Sequence, residues 1–333
     1  MNSFGKIFRV SIFGESHGQL VGVTIDGCPA GMPVVIDEIA EQLERRRSGK
    51  KGTTPRKESD IPEVMSGVFN GFTTGAPLTL ITRNSDTRSS DYEESPFIPR
   101  PGHADFTGRI KYGGFSDFRG GGHFSGRLTW GLVVAGYFAR RIIAPASVSA
   151  KLISAGGYAD IEKAIGIAES RMETIGGIVE CRIAGLPVGL GEPFFQSAES
   201  VLSSMVFSIP AIRGIEFGTG FAAASMFGSE HNDSFLDANG ATETNHAGGI
   251  NGGITNGNQI VFRIAVKPAS STGVEQNTID LRSNKTTTIR VKGRHDTLIA
   301  LRVPVIVEAA TAISFADLLM IDRGINYKSD RYK

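Results

Sequence analysis

Apolar and polar residues alternate along Phe8-Arg9-Val10-Ser11-Ile12-Phe13, the period of a half-buried strand. The same reasoning predicts strands over Val21 to Ile25, Leu78 to Thr82, Val148 to Ile153, Gly177 to Ile183, Ile260 to Val266 and Thr287 to Val291. Helical spacing takes over between Asp37 and Arg47, with Ile39, Ala40 and Leu43 as the apolar face and Asp37 as the expected cap. Ala159 to Ser170 predicts a surface helix. Two stretches are more uniformly apolar. Leu128 to Ile143 predicts a core helix, with Ser125 as its N-cap. Pro304 to Leu319 is expected to begin extended and continue as an apolar helix.

A short internal echo links the two parts of the chain. Val23-Thr24-Ile25-Asp26-Gly27-Cys28-Pro29-Ala30-Gly31-Met32-Pro33-Val34 resembles Val179-Glu180-Cys181-Arg182-Ile183-Ala184-Gly185-Leu186-Pro187-Val188. Each reads as a strand, an Ala-Gly-x-Pro-Val turn and then a helix. A true repeat would mean two related halves within one 333-residue domain. No linker-like stretch separates independent domains.

The 42 glycines collect in loops. Asp117-Phe118-Arg119-Gly120-Gly121-Gly122-His123-Phe124-Ser125-Gly126-Arg127 opens the helix from Leu128. Gly-rich backbone before a helix favours anions, and Arg119 and Arg127 flank it. Thr244 to Gly257 is a second Gly-rich loop. Gly218-Thr219-Gly220-Phe221-Ala222-Ala223 has the G-x-G-x-x-A form, with Asp237 near the place of the later acid. No regular βαβ series surrounds it, which disfavours a dinucleotide fold. Ser48 to Lys57 is the most basic segment. It reads as a nucleic-acid tract, a solvated helix end or a clamp for a polyanionic small molecule, nucleic acid being least favoured for want of interleaved aromatics.

Net charge is +1, which gives no global case for nucleic acid or an acidic membrane surface. The chain has no run of 18 or more apolar residues and no export-type N-terminus, so neither a membrane span nor secretion is expected. Cys28 and Cys181 lie far apart and suit buried, reduced thiols. A soluble cytoplasmic protein is the expectation. Its chemistry is suggested by His17 at a strand end, by His103 between Arg100 and Asp105 in a proline-stiffened loop, and by Asp296 near Arg294. Lys267, Ser270 and Ser271, at the end of a strand, suit phosphate or flavin oxygens.

The chain resembles the chorismate synthase family nearly end to end. The resemblance rests on Phe13-Gly14-Glu15-Ser16-His17-Gly18, Arg45-Arg46-Arg47, Ser66-Gly67-Val68-Phe69 with Thr73-Thr74-Gly75, and Arg100-Pro101-Gly102-His103-Ala104-Asp105. It continues through Lys111-Tyr112-Gly113, Arg119-Gly120-Gly121-Gly122, Gly185-Leu186-Pro187-Val188-Gly189-Leu190-Gly191-Glu192-Pro193 and Asn245-His246-Ala247-Gly248-Gly249-Ile250. Lys267-Pro268-x-Ser270-Ser271 and Gly293-Arg294-His295-Asp296 complete it.

The resemblance implies an α+β fold, a β-α-β sandwich with antiparallel sheets around a helical core. It implies loss of phosphate and a proton from 5-enolpyruvylshikimate 3-phosphate by 1,4-anti elimination, giving chorismate. Reduced FMN would be required without net oxidation, lending an electron transiently. Carried over motif by motif, His17 and His103 would be acids, and Asp296 would assist proton removal near the flavin. Ser16, Arg46, Arg47, Arg100 and Arg127 would bind substrate. The flavin would touch His123, Phe124, Ser125, Pro210, Ala211, Gly252, Lys267, Pro268, Ala269, Ser270, Ser271 and Arg294. No metal is implied. A homotetramer is expected. A separate flavin reductase is the expected electron source, since no secure site for NADPH is evident. His123-Phe124 stands where many members have Arg-Ser, which implies altered flavin contacts. A catalytically idle flavin- or phosphate-binding member is the alternative.

Overall fold

The computed structural model describes residues 2–49, 51–54, 58–85, 97–291 and 295–325. The alternating N-terminal stretch forms an antiparallel sheet of β1 (Ser3–Phe4), β2 (Arg9–Gly14), β3 (Leu20–Asp26), β4 (Glu63–Ser66) and β7 (Leu78–Arg83), ordered β1-β2-β3-β7-β4. The short β5 (Val68–Phe69) and β6 (Phe72–Thr73) form a hairpin between β4 and β7. A second antiparallel sheet holds β8 (Ser147–Ala155), β9 (Gly177–Ala184), β10 (Ile212–Phe217) and β13 (Ile260–Val266), ordered β10-β13-β9-β8. Read outward from β2 and from β8, both four-strand units run first, second, fourth, third. Two hairpins stand apart: β11 (Ile250–Asn251) with β12 (Ile254–Thr255), and β14 (Gln276–Asp280) with β15 (Lys285–Ile289).

Seven α-helices among the described residues accompany the sheets. They are α1 (Ile36–Arg46), α2 (Asp105–Lys111), α3 (Thr129–Ile142), α4 (Ile161–Ser170), α5 (Ala198–Phe207), α6 (Gly228–His231) and α7 (Val303–Ile325). Of these, α3 and α7, flanked by α1 and α5, pack between the sheets. The uniformly apolar α3 is buried along nearly its whole length, as its sequence demands. Small residues let its neighbours approach. A Cβ on Gly131 would press against Ile12 and Val23 of the first sheet, and one on Gly136 would overlap Ala309 of α7. Trp130 is fully buried.

Several expectations need correcting. Asp37 is not a cap: Val35 precedes the helix without a side-chain bond, and Asp37 sits in the first turn, where its charge suits the dipole. The buried stripe of α1 is Ile39, Leu43 and Arg46, and Ala40 is exposed. The segment from Pro304 is helical from its start, because a proline in the first turn sacrifices an N–H that has no helical partner anyway. The last strand is Lys285–Ile289 and stops short of Val291. The G-x-G-x-x-A string forms a short 3-10 turn, Gly220–Ser225, after a strand in an antiparallel sheet, which removes the dinucleotide reading. Among the described residues, α7 with its leading turn is the one helix long and apolar enough to cross a membrane, and 83% of that window is buried inside the protein.

Cys28 and Cys181 are free and buried, and burial pushes their thiols up to about 11 and about 12. Such thiols are inert at neutral pH.

Candidate active site

A cavity of about 770 Å³ opens where the helical layer meets both sheets. Phe4, Val10, Ile12, Leu128, Leu132 and Ile306 give it an apolar wall, and Arg46, Arg100, His103, Lys267, Asp296 and Arg302 a polar one. A more open groove around Pro33, Arg141 and Met320 contains none of the expected residues.

Arg46 reaches the interior because it occupies the core-facing stripe of α1. Its Nη2 donates to Asp60 Oδ2 at 2.6 Å, and Arg127 Nη1 pairs with the other carboxylate oxygen. Burial tends to raise the Asp60 carboxyl, but the two guanidiniums outweigh it and hold the group below the ordinary carboxylate range. Burial drives Arg46 down to about 10, against the pull of Asp60. Two guanidiniums sharing one carboxylate leave a net positive cluster. Ser16 Oγ, Arg46 Nε and Arg127 Nη2 are buried here with no hydrogen-bond partner among the described residues. A buried unsatisfied donor costs about 1–3 kcal/mol, and an incoming anion would relieve it.

Ser16 and His17 lie buried in the turn after β2. Asn84 secures that turn. Its Nδ2 donates to the carbonyls of Glu15 (3.0 Å) and Gly18 (2.9 Å), and its Oδ1 accepts from Arg127 Nε at 3.0 Å. Ser16 N donates to Gly122 O at 3.1 Å.

The glycine loop runs with φ of 59°, 82° and 53° at Gly120, Gly121 and Gly122. A Cβ on Gly122 would overlap the carbonyl oxygen of Asp117, and one on Gly120 would lie 2.6 Å from His17 Nε2. At Gly121 it would lie 3.5 Å from His103 Nε2. Bare backbone therefore touches both histidines. Ser125 caps the 3-10 turn Gly126–Leu128, accepting from Arg127 N at 3.3 Å, and not the helix expected of it: α3 follows Leu128 without a side-chain cap. Arg119, read from sequence as a possible phosphate ligand, is instead bound to Asp117 through both Nε and Nη2 at 2.9 Å.

His103 Nδ1 lies 2.6 Å from Asp105 Oδ1, and Arg100 grips the same carboxylate through Nε (2.7 Å) and Nη2 (2.8 Å). Burial alone would raise Asp105, yet the bonds from Arg100 and His103 hold it far below the usual range. A carboxylate on Nδ1 assigns the proton there and leaves Nε2, 3.3 Å from Arg100 Nη2, as the basic nitrogen. Asp296 accepts from Thr54 N (2.6 Å) and Arg302 Nη1 (3.0 Å), while Arg302 Nε reaches Arg46 O (2.9 Å). The loop after β13 is tied to the His103 loop: Lys267 Nζ donates to Ser270 Oγ (2.8 Å), Ser270 Oγ to Gly102 O (2.7 Å), and Arg100 Nη1 to Ser271 Oγ (3.2 Å). Burial, and then the charge of Arg213, lower the Lys267 ammonium from its usual value.

The family model for chorismate synthase matches residues 8–320. A chorismate synthase of Chitinophaga pinensis is 58% identical over 327 residues, 98% of either chain. The chain belongs to the chorismate synthase family. A chorismate synthase of Dehalococcoides mccartyi is 43% identical over 351 residues, covering 96% of each chain. A crystal structure of chorismate synthase superimposes with a TM-score of 0.73 at 25% identity, covering 96% of this chain and 94% of that one. The α+β sandwich is thus the chorismate synthase fold, and the chain is a lyase of aromatic biosynthesis.

Against that family, the structure brings most of the expected residues together. Arg46, Arg100, His103, His123, Phe124, Ser125, Pro210, Ala211, Lys267, Ala269, Ser270, Ser271 and Asp296 line the one cavity. Ser16, His17 and Arg127 stand directly behind it, joined through Gly120 and Asp60. Arg47 closes α1, bound to Glu44 and to the carbonyl of Glu58. Pro268 and Gly252 do not line the cavity, and Gly252 sits at the tip of the β11–β12 hairpin. Arg294 lies outside the described residues, as do Arg56 and most of the polar loop after Asn84. His123 binds Gly14 O (2.9 Å) through Nδ1 and faces Asn2 Oδ1 (3.1 Å) through Nε2, while Phe124 rests near Tyr112. Asp60, Asn84 and Arg302 were not legible in the sequence: each is a lone residue outside any motif, given a role only by three-dimensional neighbours.

Proposed function

We propose that this cavity binds 5-enolpyruvylshikimate 3-phosphate beside FMN and carries out the 1,4-anti elimination that yields chorismate. The observation that carries the reading is the buried Arg46–Asp60–Arg127 cluster, net positive and with unpaired donors, beside two histidines and a carboxylate. The residues also fit a flavin mononucleotide, with an apolar wall for the ring and Lys267, Ser270 and Ser271 for its phosphate. Reduced flavin, when bound, supplies an electron transiently and eases C–O cleavage.

The chain's own groups handle charge and protons. Arg46, Arg127 and Ser16 offer unpaired donors to an anionic substrate. His17, next to Ser16, protonates the phosphate that leaves with the C–O electron pair. His103, held through Nδ1 by Asp105, takes up and returns a proton at Nε2 on the flavin side. Asp296, positioned by Thr54 N–H and Arg302, assists removal of the substrate proton. Preorganised donors of this kind contribute several kcal/mol of transition-state stabilisation. The same reading takes the working form to be a homotetramer supplied by a separate flavin reductase.

The test is an anaerobic assay with 5-enolpyruvylshikimate 3-phosphate and chemically reduced FMN, following phosphate and chorismate together. Stoichiometric release of both, absent with oxidised FMN, is expected. Tight flavin binding without turnover would point to an idle member instead.

A further inference from the structure

Like Arg302, Arg213 is a cavity-lining cation that belongs to no sequence motif. It lines the cavity next to Pro210, Ala211 and Lys267. The register of β10 against β13 slips at this point. Ile212 pairs with Val266 and Gly214 with Ala265, so Arg213 is the extra residue of a bulge. A bulge re-aims the side chain it carries and is favoured beside active sites. The backbone just before it is also unusual: Ala211 holds φ of 74°, a conformation costly for alanine, while its carbonyl accepts from Lys267 N at 2.9 Å.

Neither Arg213 nor Lys267 has a carboxylate partner among the described residues. Their charges repel, which is part of why the Lys267 ammonium is lowered. Two like charges on the lining of one cavity, beside the Ser270 and Ser271 hydroxyls and without a carboxylate partner among the described residues, favour an anion there, although Arg213 itself reaches solvent. The inner cluster around Asp60 is separate and holds its own carboxylate.

We propose that Arg213 joins Lys267 in clamping the phosphate of the flavin, and so makes the chain selective for FMN over unphosphorylated riboflavin. The inference rests on the flavin reading above. It also assigns the two cation clusters different anions, the flavin phosphate beside Lys267 and the substrate beside Asp60.

The experiment is flavin binding, not turnover. Oxidised FMN and riboflavin are titrated by fluorescence quenching against the full wild-type chain, Arg213→Ala and Arg213→Lys. Arg213→Ala is expected to weaken FMN about tenfold and leave riboflavin unchanged, with Arg213→Lys recovering most of the loss. Equal losses for both flavins would assign Arg213 to the fold and overturn the proposal. Unchanged FMN affinity in Arg213→Ala would overturn it while leaving the flavin reading intact. A wild-type chain that binds neither flavin would overturn the flavin reading, and this proposal with it.

Discussion

Asp60 and Gly120 show how single residues set this site. Asp60 is depressed in the folded state, below its unfolded value near 3.9. Its contribution to stability is therefore complete above about pH 4 and is lost as pH falls through the folded value. Asp60→Asn leaves two buried guanidiniums without their carboxylate. It is expected to lose about 3–5 kcal/mol at pH 7 and to show a flatter stability profile than wild type below pH 4. Urea midpoints at pH 7 and pH 3 check both. Gly120→Ala forces a Cβ against His17. Its kcat is expected to fall by about 10² with only a modest change in Tm, and a wild-type kcat would show that His17 does not depend on the loop. Asp105→Asn is expected to lower kcat by a similar factor by freeing the His103 tautomer, with KM little changed. The sequence made His17, His103 and Asp296 visible through their motifs. It hid Asp60, Asn84 and Arg213, whose chemistry arises only from neighbours distant in the chain.

Among the elements, α7 links the site to the fold. Its Asp317 is buried and accepts the N–H groups of Lys6 (2.9 and 3.0 Å), Ile7 (2.7 Å) and Phe8 (2.9 Å). Its Glu308 binds Arg45, Arg140 and Ala150 N. Asp317→Ala strands three backbone donors and should cost at least about 3 kcal/mol in chemical denaturation. Weaker FMN binding should accompany it, since the same N-terminal turn leads into β2, whose Val10 and Ile12 line the cavity. Strong patterns were read correctly: β2, β3, β9, β13 and α3 stand where alternation or uniform apolarity predicted them. The failures have physical causes. The extended start expected at Pro304 is helical because a first-turn proline costs little. β4 went unread because Glu63-Val64-Met65-Ser66 is an edge strand with most of its side chains exposed. Arg46 displaced Ala40 from the buried stripe because a partner carboxylate, invisible in the local sequence, makes a buried guanidinium tolerable.

Across the whole molecule, the first-second-fourth-third order of both sheets is the arrangement that a duplicated half would leave, and we propose that origin for the echo between β3 and β9. Phe194 and Phe195, paired in the short turn after β9, are 85% and 90% exposed, and Phe221, in the turn after β10, is 84% exposed. Isolated exposed apolar residues are ordinary, but the adjacent pair Phe194 and Phe195 suits contact with further copies of the chain. Sedimentation is expected to give a tetramer mass, and Phe194→Ser with Phe195→Ser to shift it to smaller species. The cavity itself draws on residues from Asn2 to Ile306, and the turn before β2 is closed by Asp317. During synthesis, then, the first strands to emerge must wait for the last helix. At ribosomal speeds that delay is roughly 15 to 60 s. For that interval the chain holds a finished hydrophobic pattern and no binding site, a window in which a chaperone meets it before any ligand can.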